Sequence, residues 1–257
     1  MCRSRLMTYL WLAVVGLLLM PAAAVQAEDY AAVLDWSQRA VLSTPVSGVV
    51  AEVRVRAGER VETGQLLLLL DQRRFRSELK NREARLRKFR LQRDEARREL
   101  ERNRELYERR VISAHDIELA EITAATAEAD YASAEASLAL ARLDLEYSEL
   151  HAPFAGVVLE VPVSAGMTVI NTQQATPLVV LAQPQPMLAR ARVPLACLAG
   201  LAGTRTATVQ VGDKSYSAKL SSSDPEPDGD GHYGVALSFD KGDTALLAGQ
   251  AARVRCE

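Results

Sequence analysis

The chain has 257 residues, a quarter of them charged, and 31 basic against 33 acidic side chains leave a net charge of −2. So even a balance gives no support to a nucleic-acid partner, which calls for a clustered positive excess. The histidines, His115, His151 and His232, are scattered without metal-ligand spacing, so no metal centre is expected.

Arg3 and Arg5 precede an apolar run, Leu10 to Met20, which is followed by Pro21 and small residues as far as Val25-Gln26-Ala27. A basic start, an apolar middle and a small-residue cleavage site make a secretory signal, expected to cover residues 1–27. The run is short of the roughly 20 residues of a bilayer span, and an uncleaved anchor is the alternative reading. Cys2 lies ahead of the run and cannot become a lipid-bearing first residue of the mature chain. What remains is long enough for more than one compact unit. It carries two cysteines, Cys197 and Cys256, in an oxidising compartment where a disulfide between them is permitted but not required.

A short strand segment, 28–43, leads into a repeated pattern. "TPVSGVVAEVRVRAG" begins at Thr44 and "APFAGVVLEVPVSAG" at Ala152; the two agree at nine of fifteen positions with an offset of 108 residues. Each is rich in Val with partial alternation, and each reaches a turn at Gly58 or Gly166. Neither half could bury its apolar face alone. The pattern predicts one β-sandwich split into halves at 44–71 and 151–183.

The insert, 72–150, reads as a helical hairpin. Helix formers dominate from Gln72 to Arg110 with no Gly or Pro. Phe75, Leu79, Leu86, Phe89, Ala96, Leu100 and Tyr107 follow three- and four-residue steps, interrupted by Arg82, Arg93 and Asn103. From Ile117 to Ser148 ten positions keep those steps and nine are apolar, the heptad pattern of a coiled coil. The first segment has sixteen basic and eight acidic residues, and the second, Asp116 to Leu150, nine acidic and one basic. Opposite charge favours pairing of the two helices with each other. The turn is placed at 111–116, with Ser113 or Asp116 as the cap of the second helix. Helices of about 35 residues give a hairpin about 50 Å long, whose ends return together and bring Leu70 beside His151.

The tail, 184–257, breaks into short strands: "MLARARV", "TATVQV", "SYSAKL", "YGVALSF" and "AARVRC". They predict a small β-barrel.

The order of half-sandwich, hairpin, half-sandwich and barrel, with Pro45-Val46-Ser47-Gly48 and Pro153-Phe154-Ala155-Gly156 opening the halves, resembles the periplasmic adaptor subunits, or membrane fusion proteins of HlyD type, in bacterial efflux and secretion systems. The halves themselves resemble those of lipoyl or biotinyl domains, and Leu247-Ala248-Gly249-Gln250 resembles the family's turn before the last barrel strand. The resemblance implies a mixed α and β, elongated multidomain protein in the periplasm, held at the inner membrane through its transporter. It further implies a homo-oligomer, expected as a hexamer, joining that transporter to a TolC-type outer-membrane channel. The secretory signal favours a resistance-nodulation-division transporter over an ABC transporter. In adaptors that dock on such channels, Arg, Leu and Ser recur near the hairpin tip at a spacing that Arg102, Leu106 and Ser113 reproduce; they are the candidate channel contacts. Gln173 and Gln174 resemble a loop that faces the pore in some relatives. The family's membrane-proximal domain beyond the barrel is expected to be absent.

Enzyme chemistry finds no footing: no nucleophile elbow, phosphate loop or HExxH motif is present, and no cofactor is expected. The acidic turn Asp228-Gly229-Asp230-Gly231-His232 lacks the ligand set of a full calcium loop. Two other readings remain open. One is a lipoyl-fold carrier or small-molecule-binding module, disfavoured because no Lys sits at a turn between the halves. The other is a coiled-coil scaffold without a transporter.

Overall fold

In the computed structural model, which describes residues 28–171, 174–204 and 206–256, the repeat in the sequence becomes a repeat in the fold. The apolar run Leu10 to Met20 and Gln173 lie outside the described residues. The described residues form two compact units, one within 36–186 and the other from 28–35 together with those of 187–256. The strand segment at the N-terminus serves both, because β1 (Asp29–Leu42) runs through the division.

Within 36–186, the first half gives β2 (Gly48–Val53), β3 (Arg60–Val61) and β4 (Leu66–Leu70). The second half gives β5 (Glu149–His151), β6 (Gly156–Glu160), β7 (Thr168–Val169) and the start of β8 (Val179–Pro194). The halves exchange their short strands. Gly48 of β2 stands opposite Val169 of β7, and Val61 of β3 opposite Gly156 of β6. Shifting either pair by 108 residues generates the other. The turn glycines obey the same symmetry: Gly166 donates its N–H to Val50 O and Gly58 to Val158 O, each at 2.8 Å. Both adopt left-handed backbone, φ 88° and 86°, which glycine takes without a Cβ penalty. The core repeats too. Val50, Val55 and Val61 and their counterparts Val158, Val163 and Val169 are all buried together, and each contributes roughly 1.5 kcal/mol or more by leaving water.

The symmetry stops at the next strand. Leu70 lies opposite Val50, but Leu181 lies opposite Val158, partners 111 residues apart rather than 108. The second half therefore holds three extra residues between Val169 and Leu181, the stretch that contains Gln173 and Gln174.

The hairpin consists of α1 (Arg73–Glu108) and α2 (Ala114–Tyr147). All ten seam positions read from Ile117 to Ser148 are buried or half-buried. On α1 the interruptions lie in the seam rather than breaking it: Arg82, Arg93 and Asn103 are half-buried on the same face as Leu86 and Leu100. Arg93, its side chain only 16% exposed, lays its guanidinium 4.0 Å over the Tyr131 ring and ion-pairs with Asp94, so its charge is compensated by a cation–π contact and a carboxylate. At the distal end Leu106, not Tyr107, continues the seam, and Tyr107 is exposed. The ends do return together, in a different register: Leu70 donates its N–H to Ser148 O, while His151 stands opposite Leu66.

The other unit is the barrel. After β8 come α3 (Leu195–Thr204), β9 (Thr206–Val211), β10 (Lys214–Ser223), β11 (His232–Phe239) and β12 (Ala251–Cys256). The strand order β1-β12-β9-β10-β11-β8 closes on itself, since β1 also pairs with β8. Alternate residues Met187, Ala189, Ala191 and Val193 point inward from β8 and meet Val209, Leu237 and Val254 in the buried set. The Leu247–Gln250 turn hooks onto β1, with Gly249 donating to Leu34 O at 2.8 Å and Leu34 to Gln250 O at 2.9 Å. Helix α3 was not expected from the sequence. The architecture is the expected one, a split sandwich interrupted by a helical hairpin and followed by a β-barrel.

Candidate docking site

The hairpin tip is built from two different caps. α1 ends where Arg110 turns to φ 60°. Its N–H donates to Tyr107 O at 2.8 Å and that of Val111 to Leu106 O at 2.9 Å, the two bonds of a Schellman motif. That left-handed position favours glycine, and arginine there carries a backbone penalty of about 1 kcal/mol. Arg110→Gly is expected to slow hydrogen exchange at Val111 about fivefold, the equivalent of 1 kcal/mol of local stability. An unchanged rate would mean the tip is held by something other than this motif.

α2 starts at a reciprocal box. Ser113 Oγ accepts the Asp116 N–H at 3.3 Å, and the Asp116 carboxylate accepts the Ser113 N–H at 2.9 Å and its hydroxyl at 2.7 Å. The connecting segment is thus 109–113, shorter and earlier than the 111–116 read from sequence, because Ser113 is the cap and Asp116 already lies inside the helix. The Ser113 hydroxyl and N–H hold the Asp116 carboxyl below its usual range. A depressed carboxyl stabilises the fold above its unfolded value, about 4, and that contribution is lost as pH falls through the folded value. The cap is therefore complete at neutral pH and fades only in acid. Ser113→Ala is expected to cost about 1 kcal/mol, read as roughly fivefold faster exchange at the Asp116 amide at neutral pH. The same comparison in acid, below the folded value, should show a smaller difference.

The three tip residues read from sequence have distinct settings. Arg102 is exposed and ion-paired with Glu99 at 2.9 Å on its own helix. Leu106 is half-buried in the seam rather than free, and Ser113 is exposed at the cap. Sequence reasoning passed over Tyr107 and Val111, 45% and 65% exposed, which with Arg110 form the apolar and basic crown of the tip. No sequence signal marks Arg110, since a glycine is what such a turn leads one to look for.

At the other end the hairpin is anchored to the sandwich by buried polar groups. Gln72 turns inward and donates to Ser148 Oγ at 3.0 Å and Glu149 Oε1 at 2.8 Å, while Thr44 donates to Tyr147 O at 2.5 Å. With Gln72 occupied, Asp71 caps α1 by accepting the Arg73 N–H at 3.0 Å. The Arg73 guanidinium and N–H hold its carboxyl down at about 2. Charge between the helices is lightly used. Among the described residues two ion pairs cross the hairpin, Arg97–Glu128 at 2.7 Å and Arg104–Glu121 at 3.4 Å. Both are exposed, where such pairs contribute little.

Gln174 is exposed, in a loop stapled on both sides: Asn171 donates from its side chain to Thr44 O and accepts the Thr176 N–H at 2.8 Å. In the barrel, Cys197 of α3 and Cys256 of β12 are joined as a disulfide, their Cα atoms 5.7 Å apart. His151 has the Glu149 carboxylate 3.7 Å away, and no group of three or more metal-binding side chains occurs among the described residues. Among those residues, no helix is long and apolar enough to cross a membrane.

The CzcB-like, barrel-sandwich hybrid domain matches residues 38–179, covering both half-sandwiches and the whole hairpin. The chain is 31% identical over 212 residues to the macrolide export protein MacA of Yersinia pestis, across 76% of this chain and 57% of that protein. It is 27% identical over 224 residues to the multidrug resistance protein MdtA of Pectobacterium carotovorum subsp. carotovorum, across 83% and 54%. The chain thus spans little more than half the length of these relatives. Among solved structures, the membrane fusion protein Spr0693 from Streptococcus pneumoniae R6 has a TM-score of 0.70 at 15% identity, covering 90% of this chain and 99% of that one. At that identity the likeness speaks to fold alone.

Proposed function

The chain belongs to the CzcB-like barrel-sandwich hybrid family, and on that premise we propose that it is a periplasmic adaptor of an export system, a coupling protein without chemistry of its own. It joins an inner-membrane transporter, of resistance-nodulation-division or ABC type, to a TolC-type outer-membrane channel, and works as a homo-oligomer, six copies being the expected number. Export of small molecules fits the printed names of the relatives, a macrolide exporter and a multidrug resistance protein. The observation that carries the reading is the hairpin: two helices of 36 and 34 residues rise from a split sandwich and end in an exposed, doubly capped tip.

The mechanism is geometric. The buried Gln72–Ser148 bond fixes the helices to the sandwich, so a displacement at the base is carried to the tip about 50 Å away. Arg102, Leu106 and Ser113 are the proposed channel contacts, with Tyr107 and Val111 adding apolar surface. Gln173 and Gln174 belong to the loop proposed to face the conduit.

The test is capture of the tagged chain from solubilised membranes. The wild-type chain should bring down both a transporter and an outer-membrane channel. Arg102→Glu combined with Tyr107→Asp should keep the transporter and lose at least nine-tenths of the channel. Retention of both by the variant would overturn the docking role of the tip, and capture of neither by the wild type would overturn the adaptor reading.

A further inference from the structure

The seam of the hairpin keeps one heptad frame straight through its turn. Every seventh residue from Phe75 to Leu145 is buried or half-buried except Arg110, which sits in the turn itself. From Leu106 the other seam position runs through Ser113, Ala120, Ala127, Ala134 and Ala141 to Ser148, and Ser113 alone is exposed. A hairpin does not require this, because the turn between two helices absorbs any difference of phase. A shared frame is what one uninterrupted helix needs. Nothing in the turn opposes such a helix. Residues 109–113 contain neither Gly nor Pro, and Arg110 holds its left-handed position against its own preference.

The contacts across the hairpin are centred on that turn. Arg93 over Tyr131 and the pairs Arg97–Glu128 and Arg104–Glu121 all have their midpoint at Ile112 or between it and Ser113. With the turn straightened, a second copy laid antiparallel about the same point presents its α2 to the first copy's α1 in unchanged register, and the reverse.

The sandwich permits the same exchange. Its halves meet through β2–β7 and β3–β6, pairings between two stretches of chain that lie on either side of the turn. β1 belongs to the leading stretch and joins the second copy's barrel through β12. Every one of these contacts is kept. Only the central layer of the long coiled coil is new, where Arg110 of each copy stands against Ser113 of the other.

We propose that the chain exchanges everything before the turn with a second copy, forming a two-fold dimer in which one helix runs from Arg73 to Tyr147, about 110 Å long. The exchanged dimer has no tip. The Arg110 turn and the Ser113 box both dissolve into the helix, so the docking surface exists only in the unexchanged chain. The inference concerns the regulation of the proposed docking site and rests on that reading. The central layer sets the balance, since two arginines and two serines fill positions where a coiled coil places apolar residues, which holds the dimer back.

The test is a pair of full-length chains produced together, one with Val49→Cys and the other with Thr168→Cys, mildly oxidised and run without reductant. Val49 and Thr168 are exposed and stand opposite each other on β2 and β7. The two cysteines therefore meet when the first half of one chain sits in the second half of the other. A covalent heterodimer is expected. Arg110→Leu with Ser113→Leu in both chains should raise it roughly fivefold or more, and Arg110→Gly should lower it roughly as much. Glu108→Leu with Arg109→Leu, exposed but off the frame, should leave it unchanged. The trapped dimer should capture no channel from solubilised membranes, whereas the free chain does. No heterodimer even with the leucine pair would overturn the exchange. So would a heterodimer indifferent to all the turn variants, which would mark contact between unexchanged copies. Equal channel capture by trapped dimer and free chain would overturn the hiding of the tip. If the free chain captures no channel either, the adaptor reading fails, while the heterodimer still decides the exchange.

Discussion

Gly156→Ala is expected to cost the sandwich about 3 kcal/mol, at the upper end of what overpacking does, while Gly48→Ala, its counterpart in the repeat, costs under about 1 kcal/mol. The two glycines are related by the internal symmetry but not by their surroundings. A Cβ on Gly156 would lie 2.4 Å from the backbone oxygen of Ala182, which is fixed by the β6–β8 ladder. On Gly48 the nearest atom is Leu70 Cδ1 at 3.3 Å, the end of a side chain that can shift. Alanine also loses less chain entropy than glycine in a strand, by roughly 0.5–1 kcal/mol, which offsets part of the crowding at Gly48. Denaturant unfolding followed by the helical signal of the hairpin measures both, since the hairpin is seated in this sandwich. Equal costs at the two positions would mean that β8 yields where the structure holds it.

The second large effect is in the barrel. Removing the Cys197–Cys256 bridge as a double alanine variant is expected to lower the stability of that unit by about 3–4 kcal/mol. The bridge closes 59 residues of chain, and the chain-entropy relation gives about 4 kcal/mol for such a loop. Alanine keeps the buried position of Cys197 free of a new hydroxyl. Structure adds a reason for the size of the effect: β12 pairs with both β1 and β9, so freeing its end loosens a strand at the centre of the closed order. Reduction of the wild-type protein should reproduce the loss, and a change under about 1 kcal/mol by either route would mean the barrel closes without the bridge.

Much of this was open to reading in the sequence, and the reasons differ by element. The α2 seam was legible because alanines and leucines keep one phase from Ile117 to Ser148. The α1 seam was only half legible, because Arg82, Arg93 and Asn103 look like breaks until Tyr131 is seen to lie under Arg93. A pattern of hydrophobicity cannot record a cation stacked on a ring. The same blindness exchanged Tyr107 for Leu106 at the tip. α3 was missed because Gly200 and Gly203 lower helix propensity in a short run between two strands. The repeat announced the sandwich, and even the three-residue insertion could have been found by aligning strand against strand. Register was out of reach, since Leu66 opposite His151 depends on how both halves pack. Of the candidate site, a Ser three residues ahead of an Asp narrowed the cap to Ser113 or Asp116, and the structure places it at Ser113, while Arg110 broke the rule that would have located it.

The central claim is that the tip of this hairpin meets an outer-membrane channel. The most direct measurement is photocrosslinking in intact cells from position 113, with an exposed mid-helix control at position 98. The account predicts a crosslink to a channel protein from position 113 and none from position 98. Crosslinks from the tip only to other copies of the chain, or equal capture of the channel from both positions, would contradict it.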